Sequence, residues 1–136
     1  MTPTVRSAGF TVMELMVAVA IVAILATLAF PGFQDALMRA RRGDAIASLL
    51  AVQLAQETWR ANHPAYADLD ELGWDTASLD GHYALRLVEA TAAGFVVTAT
   101  PNVAGPQRDD ACGTYAIDER GPRFASGYAD AACWRR

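Results

Sequence analysis

A run of twenty uncharged, mostly apolar residues constrains this chain more than any other feature. Residues 15–34 read LMVAVAIVAILATLAFPGFQ. As a helix, this run is about 30 Å long, which is the thickness of the hydrocarbon layer of a membrane. A helix that is apolar on every face is difficult to bury in the roughly 100 residues that follow it. We therefore predict a membrane-spanning segment rather than the alternative, a buried core helix.

The rest of the composition indicates one modest folded domain. The chain has 136 residues, of which 53% are hydrophobic and 19% charged, and these values argue against intrinsic disorder. A formal net charge of −4 argues against nucleic-acid binding over the whole surface, although local basic patches stay compatible with it. Two cysteines are too few for a disulfide-dense scaffold or a four-cysteine zinc site.

Glu14 lies where the apolar run begins. A carboxylate at the edge of hydrocarbon is costly, so we expect it to be paired or held at the interface. Thr11 and Glu14 also fit the T-x-x-E capping box that starts a helix. A secretory signal peptide is the alternative for this N-terminus. The length of the run, the acid at its start and the absence of a clear A-x-A-like cleavage site argue against it.

Residues 9–15, GFTVMEL, resemble the processing motif of type IV prepilins and pseudopilins. The resemblance includes the short leader, the apolar helix and Pro31, although Val-Met stands where Leu-Ile is common and the leader has a single Arg. It implies that residues 1–9 are a leader removed by prepilin peptidase between Gly9 and Phe10, and that Phe10 is then N-methylated. Residues 10–33 become the membrane-spanning and filament-core helix, which Pro31 is expected to bend.

The resemblance also implies partners and a location. Glu14 is expected to pair with the N-terminal amine of a neighbouring subunit, so the other major and minor pilins of the filament are partners. Before assembly, the subunit is expected to be a single-pass protein of the inner membrane, with residues 34–136 as a periplasmic globular domain. After assembly into the pilus, that domain is expected to be extracellular. The positive-inside rule, applied to Arg39, Arg41 and Arg42 after the run, favours the opposite orientation. We give the processing motif more weight than this rule and predict that the C-terminal side is periplasmic.

The remaining pattern predicts an α+β fold in which a long N-terminal helix packs on a small antiparallel sheet. The helix is expected to continue to about residue 61, with an apolar stripe at spacings of three and four. That stripe consists of Ala45, Leu49, Val52 and Trp59, with Ile46, Leu50 and Leu54 alongside. A loop with a short helix near residues 68–72 is expected next. Strands are expected at residues 82–89, 95–100 and 113–118, with a turn at 92–94 and an exit turn at 119–122.

Cys112 and Cys133 stand near the C-terminus. In an exported domain they are expected to pair, which stabilises by about 3 kcal/mol in the chain-entropy model; free buried thiols are the alternative. Residues 110–114 and the Cys-Trp at 133–134 are similar to the PilE-like minor pilins, in which a C-terminal disulfide ties the last segment to the sheet. This second resemblance favours a type IV minor pilin.

The sequence shows no arrangement of residues typical of catalysis, and we predict that the protein is not an enzyme and has no cofactor. His63 and His82 stand at a helix end and a strand start, where surface or turn roles are expected. Asp68, Asp70 and Gly73 fall at positions 1, 3 and 6 of an EF-hand-like count, but leucines occupy positions 5 and 12. A solvated acidic loop is therefore favoured over a calcium site, and no metal is predicted.

The function implied is that of a structural minor pilin in pilus assembly or initiation, twitching motility, adhesion or DNA uptake. A type II secretion pseudopilin, a major pilin and an anchored periplasmic protein that never polymerises are the alternatives. A pilus-displayed receptor that binds DNA is a hypothesis of another class. Its candidate residues are Arg86, Arg108, Arg120, Arg123, Arg135 and Arg136. They are interleaved with the acidic residues Asp109, Asp110, Asp118, Glu119 and Asp130, which argues against clustered positive charge.

Overall fold

The structure is a computed structural model, and it describes residues 9–135. The chain divides into two units, the first ending at Ala36 and the second beginning at Leu37. Residues 1–8, which are most of the predicted leader 1–9, and Arg136 lie outside the described residues. One helix, α1 (Val12–Arg60), is followed by four strands. The predicted α+β architecture is confirmed.

Helix α1 begins where the capping pattern places its start. The Glu14 backbone N–H donates to Oγ1 of Thr11 at 3.2 Å, which satisfies one of the free donors of the first turn. The helix continues through Pro31 and ends at Arg60. Its observed bounds lie within two residues of the predicted ones. The predicted bend at Pro31 stays a prediction.

The sheet is antiparallel, with the order β1-β2-β3-β4. Its strands are β1 (Tyr83–Ala90), β2 (Phe95–Pro101), β3 (Tyr115–Asp118) and β4 (Gly121–Pro122). The predicted third strand began too early, at residue 113. The predicted exit turn at 119–122 was only half right, because β4 pairs with β3 after a turn of two residues. Gly121 makes this return possible, since its φ of +119° is open to glycine and strained for other residues.

One face of the sheet covers the α1 segment of the second unit. Ala45, Leu49 and Val52 are fully buried in a core shared with the strands. The predicted stripe was wrong at Leu50 and Leu54, which are 46% and 70% exposed. Spacing explains this, because the buried positions follow 45, 49, 52 and 56 around the helix and the two leucines lie off that line.

Gln56 occupies the last position of the buried line, where an apolar residue was expected. Its side-chain nitrogen donates to the carbonyl oxygen of Ala67 at 2.7 Å, and its side-chain oxygen accepts from the Ala67 N–H at 2.9 Å. This pair of bonds fastens the segment after α1 to the helix. The short helix predicted near residues 68–72 was wrong, because this segment forms turns in which Gly73 adopts a φ of +65° and Trp74 N–H donates back to Leu69 C=O.

Candidate assembly helix and nucleic-acid surface

The apolar side chains of the first unit are exposed on every side of α1. By length and composition α1 is able to cross a membrane. Phe10 is 82% exposed. The exposed apolar side chains within the described run are Leu15, Met16, Val17, Val19, Ile21, Val22, Ile24, Leu25, Leu28, Phe30 and Phe33. An apolar surface that encircles a helix requires lipid or other apolar helices to cover it.

The residues predicted for processing and assembly stand together at the start of this surface. Gly9 and Phe10 are exposed and precede the first turn of α1, and Glu14 lies within that turn. The Glu14 carboxylate forms no ion pair with any group in residues 9–135. The bond to Thr11 uses only the Glu14 backbone N–H, and the exposed carboxylate is available to a partner outside the chain. Cleavage, methylation and intersubunit pairing stay predictions.

Asp110 joins the loop between β2 and β3 to α1. Both of its carboxylate oxygens accept from Nε of Arg42 at 3.0 Å, and Nη2 of Arg42 donates to Oδ1 at 2.6 Å. The same carboxylate accepts from the Tyr83 hydroxyl, the Gln107 amide and the Cys112 N–H. A fully buried carboxylate is tolerated only with this degree of pairing.

Burial and pairing act in opposite directions on Asp110. Burial alone raises the pKa of its carboxyl, but the hydrogen bonds from Arg42 and from the Cys112 N–H outweigh that effect and the net pKa is lowered. Burial raises the pKa of the Tyr115 hydroxyl to about 12 and that of Tyr83 further. Both tyrosines are therefore neutral at physiological pH, and the Tyr83 hydroxyl serves as a donor to Asp110.

Asp44 fastens the other side of the domain to α1. Its oxygens accept from the Ser78 hydroxyl at 2.6 Å and from the backbone N–H groups of Asp80 and His82 at 2.9 and 3.1 Å. Ser48, one helical turn later, accepts from the Leu79 N–H at 2.9 Å. Two polar residues of the helix therefore orient the chain as it enters β1.

The C-terminal segment is tied back to the sheet by the disulfide between Cys112 and Cys133, as predicted. The Ala129 N–H donates to the Thr114 carbonyl at 2.7 Å, and the Tyr115 hydroxyl donates to the Cys133 carbonyl at 3.3 Å. Trp134 stacks edge to face on Tyr115. The end of the chain is thereby packed against the core.

Two of the candidate arginines share the outer face of the sheet, opposite the core. Arg86 on β1 pairs with Thr98 on β2, and Thr98 pairs with Ala116 on β3. The Arg123 N–H donates to the Ala116 carbonyl at 2.9 Å, so this residue continues the same row. Paired residues point to one face, and three strand spacings separate the two arginines by about 14 Å. Two residues further along β2, on the same face, the Thr100 hydroxyl is hydrogen-bonded to the Thr114 hydroxyl.

Acidic residues of the outer face are grouped in another row. Glu89 pairs with Val96, which pairs with Asp118, and Asp118 lies 4.0 Å from Nη1 of Arg123. The outer face thus has an arginine and threonine half and an acidic half. We name the first half, made of Arg86, Thr98, Thr100, Thr114 and Arg123, the arginine–threonine face.

The other candidate arginines lie apart from this face. Arg108 pairs with Asp109 at 3.0 Å and Arg120 with Glu119 at 3.3 Å, both on the surface. Arg135 lies near Cys133 and α1, and Arg136 is outside the described residues. The structure therefore brings together two of the six predicted arginines.

The candidate calcium loop and the two histidines have local structural roles. The Asp68 backbone N–H donates to Glu71 Oε2 at 2.8 Å, and no group of three or more His, Cys, Asp or Glu side chains suited to a metal occurs in residues 9–135. His63 stacks on Trp59 with ring centroids 3.8 Å apart. The backbone N–H of His82 belongs to the Asp44 network.

Sequence reasoning missed Asp110, Asp44 and Gln56 as organising residues. The sequence places Asp110 in the segment 110–114 that resembles PilE-like minor pilins and among the acids interleaved with the arginines, but it does not predict a buried ion pair. A signal existed for Asp44 and Gln56, because both fall on the buried side of an amphipathic helix, where a polar residue requires a partner.

Comparisons with known proteins agree on one family. A family described as "Type IV minor pilin ComP, DNA uptake sequence receptor" matches residues 31–116, which are more than half of the chain. A second family, described as the prokaryotic N-terminal methylation motif, matches residues 5–30. The two matches adjoin between residues 30 and 31, within the apolar run.

Individual relatives are pilins. The type IV major pilin protein PilA of Myxococcus xanthus (strain DK1622) is 37% identical over 70 residues, which are 51% of this chain and 32% of that protein. The type IV major pilin protein PilE1 of Neisseria gonorrhoeae is 32% identical over 104 residues, which are 74% of this chain and 56% of that protein. The chain thus spans between about a third and just over half of the length of these relatives.

Among solved structures, the Neisseria meningitidis non-core minor pilin PilV superposes with a TM-score of 0.53 at 13% identity. The superposition covers 70% of this chain and 95% of that one. It shows a shared fold, that of a long helix on a small antiparallel sheet.

Proposed function

Because this chain belongs to the type IV minor pilin family, we propose that it is a subunit of a type IV pilus and assembles through its N-terminal helix. The observation that carries the proposal is the fully exposed apolar surface of α1 in the first unit, preceded by the processing motif. In the membrane, lipid covers this surface, and in the filament the apolar helices of other subunits cover it. The apolar side chains are therefore never left in water.

Processing precedes assembly in this proposal. Prepilin peptidase cuts between Gly9 and Phe10, and Phe10 is N-methylated. The second unit lies in the periplasm before assembly and on the pilus afterwards. Glu14 then pairs with the N-terminal amine of a neighbour, which sets the axial register of the two helices. The chain is a substrate of the processing enzymes, and we propose no catalytic role for it.

The intact mass of the protein from its native membrane tests the processing steps. We expect the mass of residues 10–136 with one added methyl group, and two hydrogens fewer than after reduction. A mass that begins at Met1, or beyond the apolar run, contradicts the proposal. Counting copies in sheared pili against the major subunit then separates a minor pilin from a major one, and absence from pili favours a secretion pseudopilin.

DNA capture is a second candidate function. The matching family is described as a DNA uptake sequence receptor, and the arginine–threonine face offers a surface for it. Two arginines whose backbone positions are about 14 Å apart, with the hydroxyl groups of Thr100 and Thr114 beside them, suit the phosphates of a nucleic acid. The net charge of −4 limits the expected affinity and makes it strongly dependent on salt.

The DNA test compares two pairs of arginines. We expect Arg86→Ser/Arg123→Ser to weaken binding of duplex DNA by the full-length protein and to reduce the salt slope by about 2, as for two lost phosphate contacts. The matched control, Arg108→Ser/Arg120→Ser, removes two exposed arginines that lie apart from this face. Equal loss in both variants, or no binding by the wild type at low salt, contradicts this assignment.

A further inference from the structure

A groove of about 520 Å³ lies between α1 and the C-terminal segment of the second unit. We define the basic groove by six of its lining residues: Arg39, Arg42, Ile46, Leu79, Cys133 and Arg135. Its volume is in the range of sites that hold small organic ligands. The groove lies apart from the arginine–threonine face.

The charged groups of the basic groove are not all available to a ligand. Arg42 is held by Asp110 through both carboxylate oxygens. Asp44, which also lines the groove, is buried and already accepts hydrogen bonds from Ser78 and from backbone N–H groups. Its negative charge is therefore directed into the protein.

Arg39 and Arg135 are the groups open to a ligand. Both are exposed, and neither forms an ion pair within the described part of the chain. The lining also includes Asp80, whose exposed carboxylate opposes an anion, so the two open arginines outnumber one exposed acid. Two guanidinium groups facing one groove favour an anion with several oxygen atoms, such as a phosphodiester.

The apolar part of the groove narrows the choice of ligand. Ile46, Leu79 and Cys133 give it an aliphatic and sulfur-containing wall beside the arginines, and Leu79 is 66% exposed. A nucleic acid offers such a wall only sugar carbons and thymine methyl groups. A phospholipid carries its phosphodiester next to a glycerol and acyl chains, and therefore matches both halves of the groove.

The position of Arg39 in the chain favours a lipid as the ligand of the basic groove. It follows the last residue of the apolar run, Gln34, by five residues. Arginines that follow a membrane span closely in the chain are attracted to anionic lipid headgroups.

We propose that the basic groove binds the headgroup of an anionic phospholipid, with its phosphodiester between Arg39 and Arg135 and its glycerol region against Leu79. The inference rests on the proposed membrane insertion of residues 10–33. A bound headgroup holds the second unit at the membrane surface before assembly, and its release accompanies entry of the subunit into the filament.

The test uses the full-length protein in an uncharged detergent, titrated with phosphatidylglycerol or phosphatidylcholine, with bound lipid counted by native mass spectrometry. We expect one phosphatidylglycerol per chain, bound at least tenfold more tightly than phosphatidylcholine. Arg39→Ser/Arg135→Ser is expected to weaken that binding at least tenfold, and Leu79→Ser severalfold. The control variant Arg108→Ser/Arg120→Ser keeps wild-type binding, and circular dichroism checks that all variants are folded.

Several outcomes overturn the proposal. Equal binding of the two lipids, or wild-type affinity in Arg39→Ser/Arg135→Ser, removes the role of the groove arginines. Displacement of the lipid by millimolar inorganic phosphate shows a simple anion site. Loss of DNA binding without loss of lipid binding in that variant assigns the groove to nucleic acid. The proposed pilin function fails separately, through an unprocessed mass or absence from membranes and pili.

Discussion

Two segments of one helix carry similar apolar side chains and differ in what covers them. In the first unit, Val17, Ile21 and Leu25 are 53%, 54% and 60% exposed. In the second unit, Ala45 and Leu49 are completely buried by the sheet. Hydrophobicity alone does not decide which side chains a domain buries. A sheet covers one stripe of a helix, and the second segment places Ala45, Leu49 and Val52 on one stripe, while Leu50 and Leu54 lie off it and stay exposed.

The polar residues of the two segments differ in the same way. Glu14 has no partner among residues 9–135, whereas Asp110, Asp44 and Gln56 are each satisfied within the second unit. The second unit therefore supplies partners for these three polar residues itself, although Gln107 Oε1 and Trp134 Nε1 are buried in it without a partner among the described residues, whereas Glu14 requires a partner from outside. Variants that remove one polar group from each region test this contrast.

Glu14→Ala is expected to have the largest effect. Membrane insertion should be unchanged, because the apolar run is intact, while incorporation into filaments falls about a hundredfold because the neighbour's amine loses its partner. The measurement is the ratio of the subunit in sheared pili to that in membranes. Asp35→Ala, which removes an exposed carboxylate of the same helix beyond the apolar run, is the control. Normal incorporation of Glu14→Ala would show that the first unit needs no polar partner.

Asp110→Ala is expected to lower the free energy of unfolding by about 4 kcal/mol, because it leaves Arg42 without its partner and removes an acceptor for Tyr83 and Gln107. Asp109→Ala, at an exposed neighbour, should change it by less than about 0.5 kcal/mol. Denaturant unfolding of the full-length protein in detergent measures both. Similar losses in the two variants would mean that the Asp110 network adds no stability.

The same residue predicts a pH dependence. The pKa of Asp110 is lowered in the folded state, so its contribution is fully present above the ordinary carboxyl pKa of 3.8 and is lost as the pH falls through the lower, folded value. Unfolding free energy measured from pH 7 to pH 2 should therefore fall more steeply in the wild type than in Asp110→Ala. Parallel curves would contradict the pairing with Arg42.

Reduction of the disulfide is expected to cost about 3 kcal/mol, since the bond closes a loop with a sequence separation of 21 residues. The C-terminal segment should then be cut faster by proteases. Cys112→Ser/Cys133→Ser should match the reduced wild type and be insensitive to reductant. An unchanged protease half-life on reduction would show that Trp134 and Ala129 hold the segment without the bond.

Gln56→Ala is expected to have the smallest effect, about 2 kcal/mol, because it leaves the buried N–H and carbonyl of Ala67 without partners. Gln53→Ala, which loses one bond to the Asp118 carbonyl at a less buried position, should cost less. Thermal unfolding compares the two. The opposite order would show that the Ala67 backbone finds other partners.

Features that depend on residues close together in the sequence were predictable, and features that depend on residues far apart in the sequence were not. The bounds of α1, the turn at residues 92–94 and the first two strands follow from neighbouring residues, and each was predicted to within about two positions. The Arg42–Asp110 pair joins residues 68 apart, and no local pattern marks it. The row that brings Arg86 and Arg123 to one face depends on the register of three strand pairings.

The sequence by itself determined the features that act through local chemistry. An uncharged run cannot be covered by a small domain, and a short motif around Gly9, Phe10 and Glu14 is sufficient to indicate the family, because both depend on adjacent residues. Only the tertiary structure decided which polar residues are buried, why Leu54 is exposed while Gln56 is not, and which arginines share a surface. The reason is physical: burial and pairing depend on which distant segments meet, and that is fixed when the sheet packs on the helix.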